Sequence, residues 1–185
     1  MNWYTADTHF GHESSIKHSA RPFKTVMQMD AVLIENLSSR LGLEDALWIV
    51  GDFVFGPKAK DRDWLNKLFG RFPGTERHVV IGNHDGEATQ RLPWASVTDL
   101  AEVADSSGLN SVLCHYPMNT WHRARKGEPH LCGHVHEQWM GRRNAVNVGV
   151  DVWGYEPVAL REAQQRAATL PTNADWSDVE RNAQI

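Results

Sequence analysis

The chain alternates short apolar runs with polar stretches, and the period of the apolar positions changes along its length. Residues 1–6 read as a first strand, with Trp3 and Tyr4 favouring extended backbone. Between 25 and 41 the positions Val26, Met29, Leu33, Leu37 and Leu41 recur at helical spacing. Thr25 and Gln28 form a capping-box pair ahead of that run and Gly42 follows it, which predicts a helix over 25–41. Residues 46–50 form a short apolar run that predicts a buried strand. A second helix is expected over 61–69, with Trp64, Leu65 and Leu68 on one face and Gly70 at its end. Another buried strand is expected at 78–81, and 99–114 reads as a hairpin turning at Ser106, Ser107 and Gly108. Residues 130–132 and 145–150 are further strands, and 160–168 a late helix.

Strands and helices interleave early and strands cluster late. That order implies a layered α/β architecture with a mixed sheet or two sheets. The reading places one domain over 1–170 and a polar, weakly patterned tail over 171–185, with Trp176 as a candidate pin for the tail.

Composition narrows the function classes. A chain of 185 residues, 41% of them hydrophobic, can bury a core without disulfide staples. The charged share of 23% is ordinary for a globular domain and excludes global disorder. A net charge of −4 argues against an extended nucleic-acid face, which needs a basic stripe, but allows a short nucleotide in a local pocket. Cys114 and Cys132 have no zinc spacing and suit a reducing compartment as small buried residues. Residues 1–10 lack a basic segment followed by an apolar one, and no apolar run has the length of a membrane span. A cytoplasmic protein without a membrane partner is therefore expected.

The ten histidines change the picture because of where they fall. Asp7-Thr8-His9 follows the first strand, Gly51-Asp52 the second, and Gly82-Asn83-His84-Asp85 the third. His115 follows the strand that ends at Cys114, and Gly133-His134-Val135-His136 the one that ends at Cys132. Ligands in open α/β sheets bind beyond the carboxyl ends of strands, where side chains from neighbouring strands converge. The donors are carboxylate, imidazole and amide oxygen without thiolate, which suits Mn²⁺, Fe, Zn²⁺, Ni²⁺ or Co²⁺ better than Ca²⁺. Seven candidate ligands exceed the needs of one ion, so two ions sharing a carboxylate are expected, with Mn²⁺ the first choice. Each short motif alone is common turn chemistry. Their joint occurrence in this order, each after an apolar run, is what carries weight.

The set D-x-H, G-D, G-N-H-D, H and G-H-x-H, spread over residues 3–151, resembles the calcineurin-like metallophosphoesterase superfamily. The opening D-T-H-F-G-H is similar to a small stand-alone bacterial or phage-type subgroup. The resemblance implies a four-layer αββα sandwich with two mixed sheets inside and helices outside. It implies that Asp7, His9 and His136 hold one ion, that Asn83, His115 and His134 hold the other, and that Asp52 bridges them. His84 would then stand beside the metals as the acid for the leaving oxygen, with Asp85 orienting its ring. In such two-metal chemistry the ions lower the pKa of a water and neutralise charge on the phosphoryl oxygens.

Several residues keep two readings. His12 either reaches a phosphate oxygen or bonds to its own loop. Arg21 is either a phosphate contact or a solvated surface arginine. The segment 121–126, with Trp121 and Arg123, either stacks a base and binds phosphate or is an exposed basic loop. His78 reads as structural, while His18 and His130 have no assigned role. Asn147, Gly149 and Asp151 either shape the site floor or make a turn. The expected activity is hydrolysis of a small, nucleotide-like phosphomonoester or phosphodiester. The alternatives are a metal-dependent nuclease and a non-catalytic scaffold of the same fold.

Overall fold

Strands that are apolar on both faces must be covered on both faces. In the computed structural model, which describes residues 1–74, 76–105 and 108–174, two five-stranded mixed sheets meet this need by facing each other. The first sheet runs β10-β1-β2-β3-β4, built from β1 (Asn2–Thr5), β2 (Ala46–Val50), β3 (Glu76–Val80), β4 (Ser96–Thr98) and β10 (Val158–Ala159). Strands β1 to β4 are mutually parallel, and β10 is antiparallel to β1. The second sheet runs β5-β6-β7-β9-β8, with β5 (Leu100–Ala104), β6 (Asn110–Cys114), β7 (His130–Cys132), β8 (Gly141–Arg142) and β9 (Ala145–Asn147). Here β6, β7 and β9 are parallel.

Alternation along the strands sorts the core into two clusters. Tyr4, Val50 and Val80 point inward and meet Val103, Leu113, Leu131 and Val146 of the second sheet. Trp3, Leu47, Ile49 and Val79 point the other way, under α2 (Val26–Arg40) and α3 (Arg62–Phe69), which bring Met29, Leu33, Leu37, Leu65 and Leu68. The late helix α5 (Leu160–Ala167) adds Leu160, Ala163 and Ala167 to the inter-sheet cluster. On the face of β7 opposite Leu131, the segment 116–129 is tied down by His130.

Local signals explain most boundaries. Thr25 caps α2 by accepting from Gln28 N at 3.2 Å, while the Gln28 side chain accepts from Lys24 N and not from the cap residue. The helix leaves through an extended Leu41, one residue before Gly42. Asp61 caps α3 by accepting from Trp64 N at 3.0 Å, and Gly70 follows the helix. The 99–114 hairpin forms as β5 and β6, though Ser106 and Ser107 of its turn lie outside the described residues, as does Trp176. The strand expected over 145–150 stops at Asn147, because 150–152 wind into a 3-10 turn. Helices α1 (Glu13–His18) and α4 (Glu87–Gln90) were not anticipated, being short and without a periodic apolar face. Among the described residues no helix is long and apolar enough to cross a membrane.

Candidate metal centre

Because β1, β2 and β3 are parallel, as are β6 and β7, their carboxyl ends deliver Asp7, Asp52, Asn83, His115 and His134 to one edge of the sandwich. Backbone bonds stitch these loops together: Asp7 N donates to Gly51 O, and His9 N to Asp52 O, both at 3.0 Å. Asp85 fastens the third loop. Its carboxylate accepts from Asp52 N at 2.8 Å and from Phe53 N and Gly82 N at 2.9 Å. This corrects the role expected for Asp85, since its oxygens are engaged by backbone amides and not by the His84 ring. Burial nevertheless pushes its pKa up to about 6, against those amides.

The backbone is bent where the ligands sit. Among the described residues eight non-glycine positions have positive φ, and Asp7, His9, Asp52, His134 and His136 are five of them. Such conformations cost on the order of 1–3 kcal/mol each and persist where the surroundings over-determine them. Neighbouring glycines make the close approaches possible. A methyl group on Gly51, at φ 85°, would lie 2.2 Å from His115 Nδ1, and one on Gly133 2.8 Å from Asp7 Oδ2.

Two trios result. Asp7, His9 and His136 form one group that can hold a metal ion, and Asp52, His115 and His134 another, with the donor atoms of each within 4.8 Å of one another. Asp52 belongs to the second and reaches the first, its Oδ2 lying 3.4 Å from His115 Nε2, 3.6 Å from His9 Nε2 and 4.0 Å from His84 Nε2. Asn83 Oδ1 lies 3.1 Å from His115 Nε2 and 3.0 Å from His134 Nδ1, which adds an amide oxygen to the second group.

Hydrogen bonds aim the rings. His115 Nδ1 lies 3.0 Å from Val50 O and so donates to it, which turns Nε2 toward Asp52. His136 Nδ1 lies 2.7 Å from Asp151 Oδ2, which turns its Nε2 into the site. His9 is buried, and neither of its ring nitrogens has a hydrogen-bond partner. Burial lowers its pKa to about 3, so near neutral pH it offers an uncharged lone pair. Burial pushes Asp7 up to about 6, while His134 N donates to both its oxygens at 3.0 Å. Burial also opposes ionisation of Asp52, but the adjacent His115 ring and the His84 amide outweigh it and hold the carboxyl down at about 2. Two buried carboxylates and a neutral, unpartnered imidazole fit divalent cations, which would supply the missing positive charge.

A third group, His136 with Glu137 and Asp151, is not an independent site, because Asp151 is already committed. Its carboxylate is gripped by Arg21, with Nε at 2.7 Å and Nη2 at 2.9 Å. Arg21 also donates to Asp7 O and Thr8 O. Its side chain is fully buried, so it is neither a substrate contact nor a surface arginine, and both sequence readings of it are corrected.

The remaining candidates divide. His12 lies on the same cleft as His9, His84, His134 and His136, a space of about 360 Å³. His18, Ser15 and Ser19 line it too, with no signal in the sequence that would have marked them. Trp121 and Arg123 do not line this cleft. Trp121 Nε1 donates to Glu128 O at 2.7 Å and its ring tilts over His130, and the Arg123 guanidinium pairs with the Glu128 carboxylate. Phe55, which the sequence reading passed over, packs against His84 at 4.0 Å between centroids and against His12 at 4.7 Å. Asn147 is fully buried. Its amide donates to His136 O and Trp139 O, both at 2.7 Å, which fixes the loop carrying His136.

With this geometry in place, relatives can be compared. No family model matches the chain. It is 29% identical over 164 residues to an uncharacterized protein of Methanocaldococcus jannaschii, covering 84% of each. It is 28% identical over 194 residues to the Gene 66 protein of Mycobacterium phage D29, covering 88% of this chain and 94% of that one. A solved structure of a protein of unknown function from Aquifex aeolicus superposes with a TM-score of 0.69 at 23% identity, over 90% of this chain and 98% of that one. The last likeness shows that the two chains share a fold.

Proposed function

We propose that the chain is a metal-dependent phosphoesterase that hydrolyses a small phosphate ester at a two-metal site. The observation that carries this reading is the pair of ligand trios, with Asp52 of the second reaching to 3.6 Å from His9 of the first, and with His9 itself unpartnered and uncharged between Asp52 and His136. Asp7, His9 and His136 would hold one divalent ion, Asn83, His115 and His134 the other, and Asp52 would bridge them. Bound there, the ions supply a water of lowered pKa and neutralise charge on the phosphoryl oxygens. Imidazole-rich sites favour transition ions, and Mn²⁺ is the first choice over Ni²⁺, Co²⁺, Zn²⁺ or Fe.

The protein's own groups do the rest. Asp151 fixes the His136 tautomer, and Val50 O does the same for His115. Asp85 holds the loops of Asp52 and Gly82 in register through their amides. His84 borders the cleft with its ring 33% exposed, close to Asp52 but outside both trios, where it can pass a proton to the departing oxygen. A cleft of about 360 Å³ lies at the small end of ligand sites and suits the phosphate end of a small ester.

The test is a screen of mono-, di- and cyclic nucleotide esters alongside a single-stranded oligonucleotide, after chelation and after adding back each metal. We expect two ions per chain, no turnover after chelation, and recovery with Mn²⁺, Ni²⁺ or Co²⁺ but poor recovery with Ca²⁺. Cleavage of the oligonucleotide alone would move the assignment to a nuclease. Full turnover in excess chelator after dialysis would overturn it.

A further inference from the structure

A second cavity, of about 370 Å³, opens on the other side of the loop that carries His134 and His136. Trp121, Trp139 and Met118 give it aromatic and polarisable walls, and Asn119, Asn144 and Arg142 add amide and guanidinium groups. Val135, the residue between the two candidate ligands, lines this cavity and the histidine cleft alike.

The walls are held in place. Trp121 is fixed at one edge by its bond to Glu128 O and over one face by the His130 ring, at 5.3 Å between centroids. Trp139 follows the 3-10 turn 136–138, and Asn147 clamps both ends of that turn by donating to His136 O and Trp139 O. One buried amide thus ties the cavity wall to a candidate metal ligand. Indole rings give a planar guest area and stacking at little entropic cost, and they accept any heteroaromatic ring. Carboxamides and a guanidinium can pair with the donors and acceptors on the edge of such a ring.

We propose that this cavity is a binding site for a planar, hydrogen-bonding heterocycle of the nucleobase class, and that it receives the base of the ester whose phosphate lies at the metals. The second part rests on the phosphoesterase reading; the first does not. The base would lie beyond Val135 from the phosphate, so the loop 133–139 would be read on one side by the metals and on the other by the ring.

Two measurements test the proposal separately from the chemistry. The first titrates the metal-free full chain with adenosine, guanosine, cytidine and uridine, which carry no phosphate, and follows tryptophan fluorescence and ligand-detected NMR. Saturable binding of at least one nucleoside is expected, weakened roughly 5- to 150-fold by Trp139→Ala, the range for loss of one base–aromatic stack. The second compares KM for the preferred nucleotide ester with KM for glycerol phosphate on the metal-loaded enzyme. Trp139→Ala should raise the first by a similar factor and the second far less. No nucleoside binding, or equal binding by parent and Trp139→Ala, overturns the proposal even if esters are hydrolysed. Nucleoside binding that depends on Trp139, in a protein that turns over no ester, overturns the phosphoesterase reading and keeps the heterocycle site. An Asn144→Leu variant guards against misfolding of Trp139→Ala, because it changes the polar edge without removing an indole and should shift the preference among the four nucleosides.

Discussion

Arg21 and Asp151, 130 residues apart, form a two-pronged ion pair with Nε–Oδ1 at 2.7 Å and Nη2–Oδ2 at 2.9 Å, and neither side chain is more than 2% exposed. The same guanidinium holds the carbonyls of Asp7 and Thr8, and the same carboxylate holds His136. Two members of one trio therefore depend on a single buried contact.

Removing one partner of a buried pair leaves an uncompensated charge, which costs about 3–5 kcal/mol. Arg21→Met should lose that much stability in urea denaturation. Arg21→Lys should restore little, because an ammonium cannot span two carboxylate oxygens and two carbonyls. A loss below about 1 kcal/mol would show that the contact is not structural. Asp151→Asn keeps the volume, though it too leaves Arg21 uncompensated, and should weaken metal affinity about 10- to 100-fold by freeing His136 to rotate. Calorimetric titration with Mn²⁺ gives the comparison, and unchanged affinity would remove Asp151 from the site.

The sequence made some of this readable and hid the rest for physical reasons. The seven candidate ligands were visible because each breaks an apolar run at a strand end, and parallel strands bring those ends together. Helices α2 and α3 were visible because Thr25 and Asp61 cap a periodic apolar face. The grip of Arg21 on Asp151 was not, since nothing local marks a pairing across 130 residues. Asp85 was assigned to its chain neighbour His84, yet its carboxylate turns to amides 32 and 33 residues away. For Trp121 the aromatic and basic character was legible, but not that Glu128 and His130 would turn the segment toward a different cavity.

Gly51 offers a test of how tightly the trios are set. An alanine there adds positive-φ strain of about 1–3 kcal/mol. Its methyl group would also lie 2.2 Å from His115 Nδ1, so the ring must move away from Val50 O and Asp52. Gly51→Ala should therefore lose stability and retain less metal, read by denaturation and by metal content after gel filtration. Parent-like metal content would show that the His115 ring has room the geometry does not give it.

His130 should make the fold sensitive to acid. It is fully buried, with Nδ1 3.0 Å from Val112 O and Nε2 3.1 Å from Tyr116 O, and burial lowers its pKa from 6.5 despite those carbonyls. A folded value below the unfolded one means that the unfolded chain takes up the proton first as pH falls. The stability due to neutral His130 is then complete above about 6.5 and drains away below it, at no more than about 1.4 kcal/mol per pH unit. His130→Phe keeps a ring for Trp121 to rest on and removes the titration. Denaturation at about pH 5 and about pH 8 should show a smaller difference in the variant than in the parent. Equal differences would mean that His130 does not titrate in this window.

A substitution at His84 tests chemistry apart from metal binding. The backbone amide of His84 donates to Asp52 Oδ1 at 2.9 Å, its Nε2 lies 4.0 Å from Asp52 Oδ2, and its ring packs on Phe55. It follows Asn83 directly, and two consecutive side chains leaving one tight turn cannot easily serve the same ion. A ring so placed borders the cleft without belonging to either trio. His84→Ala should therefore keep its metal content and lose turnover. General acid help contributes on the order of 10²–10⁴-fold, and the loss in kcat should fall in that range for alkyl esters, whose leaving oxygens need the proton most. An activated aryl ester, which departs as the anion, should slow far less. Loss of a metal from the variant would make His84 a ligand. Equal slowing of both esters would make it an electrostatic stabiliser of the transition state, and slowing of neither would leave it with no part in the reaction.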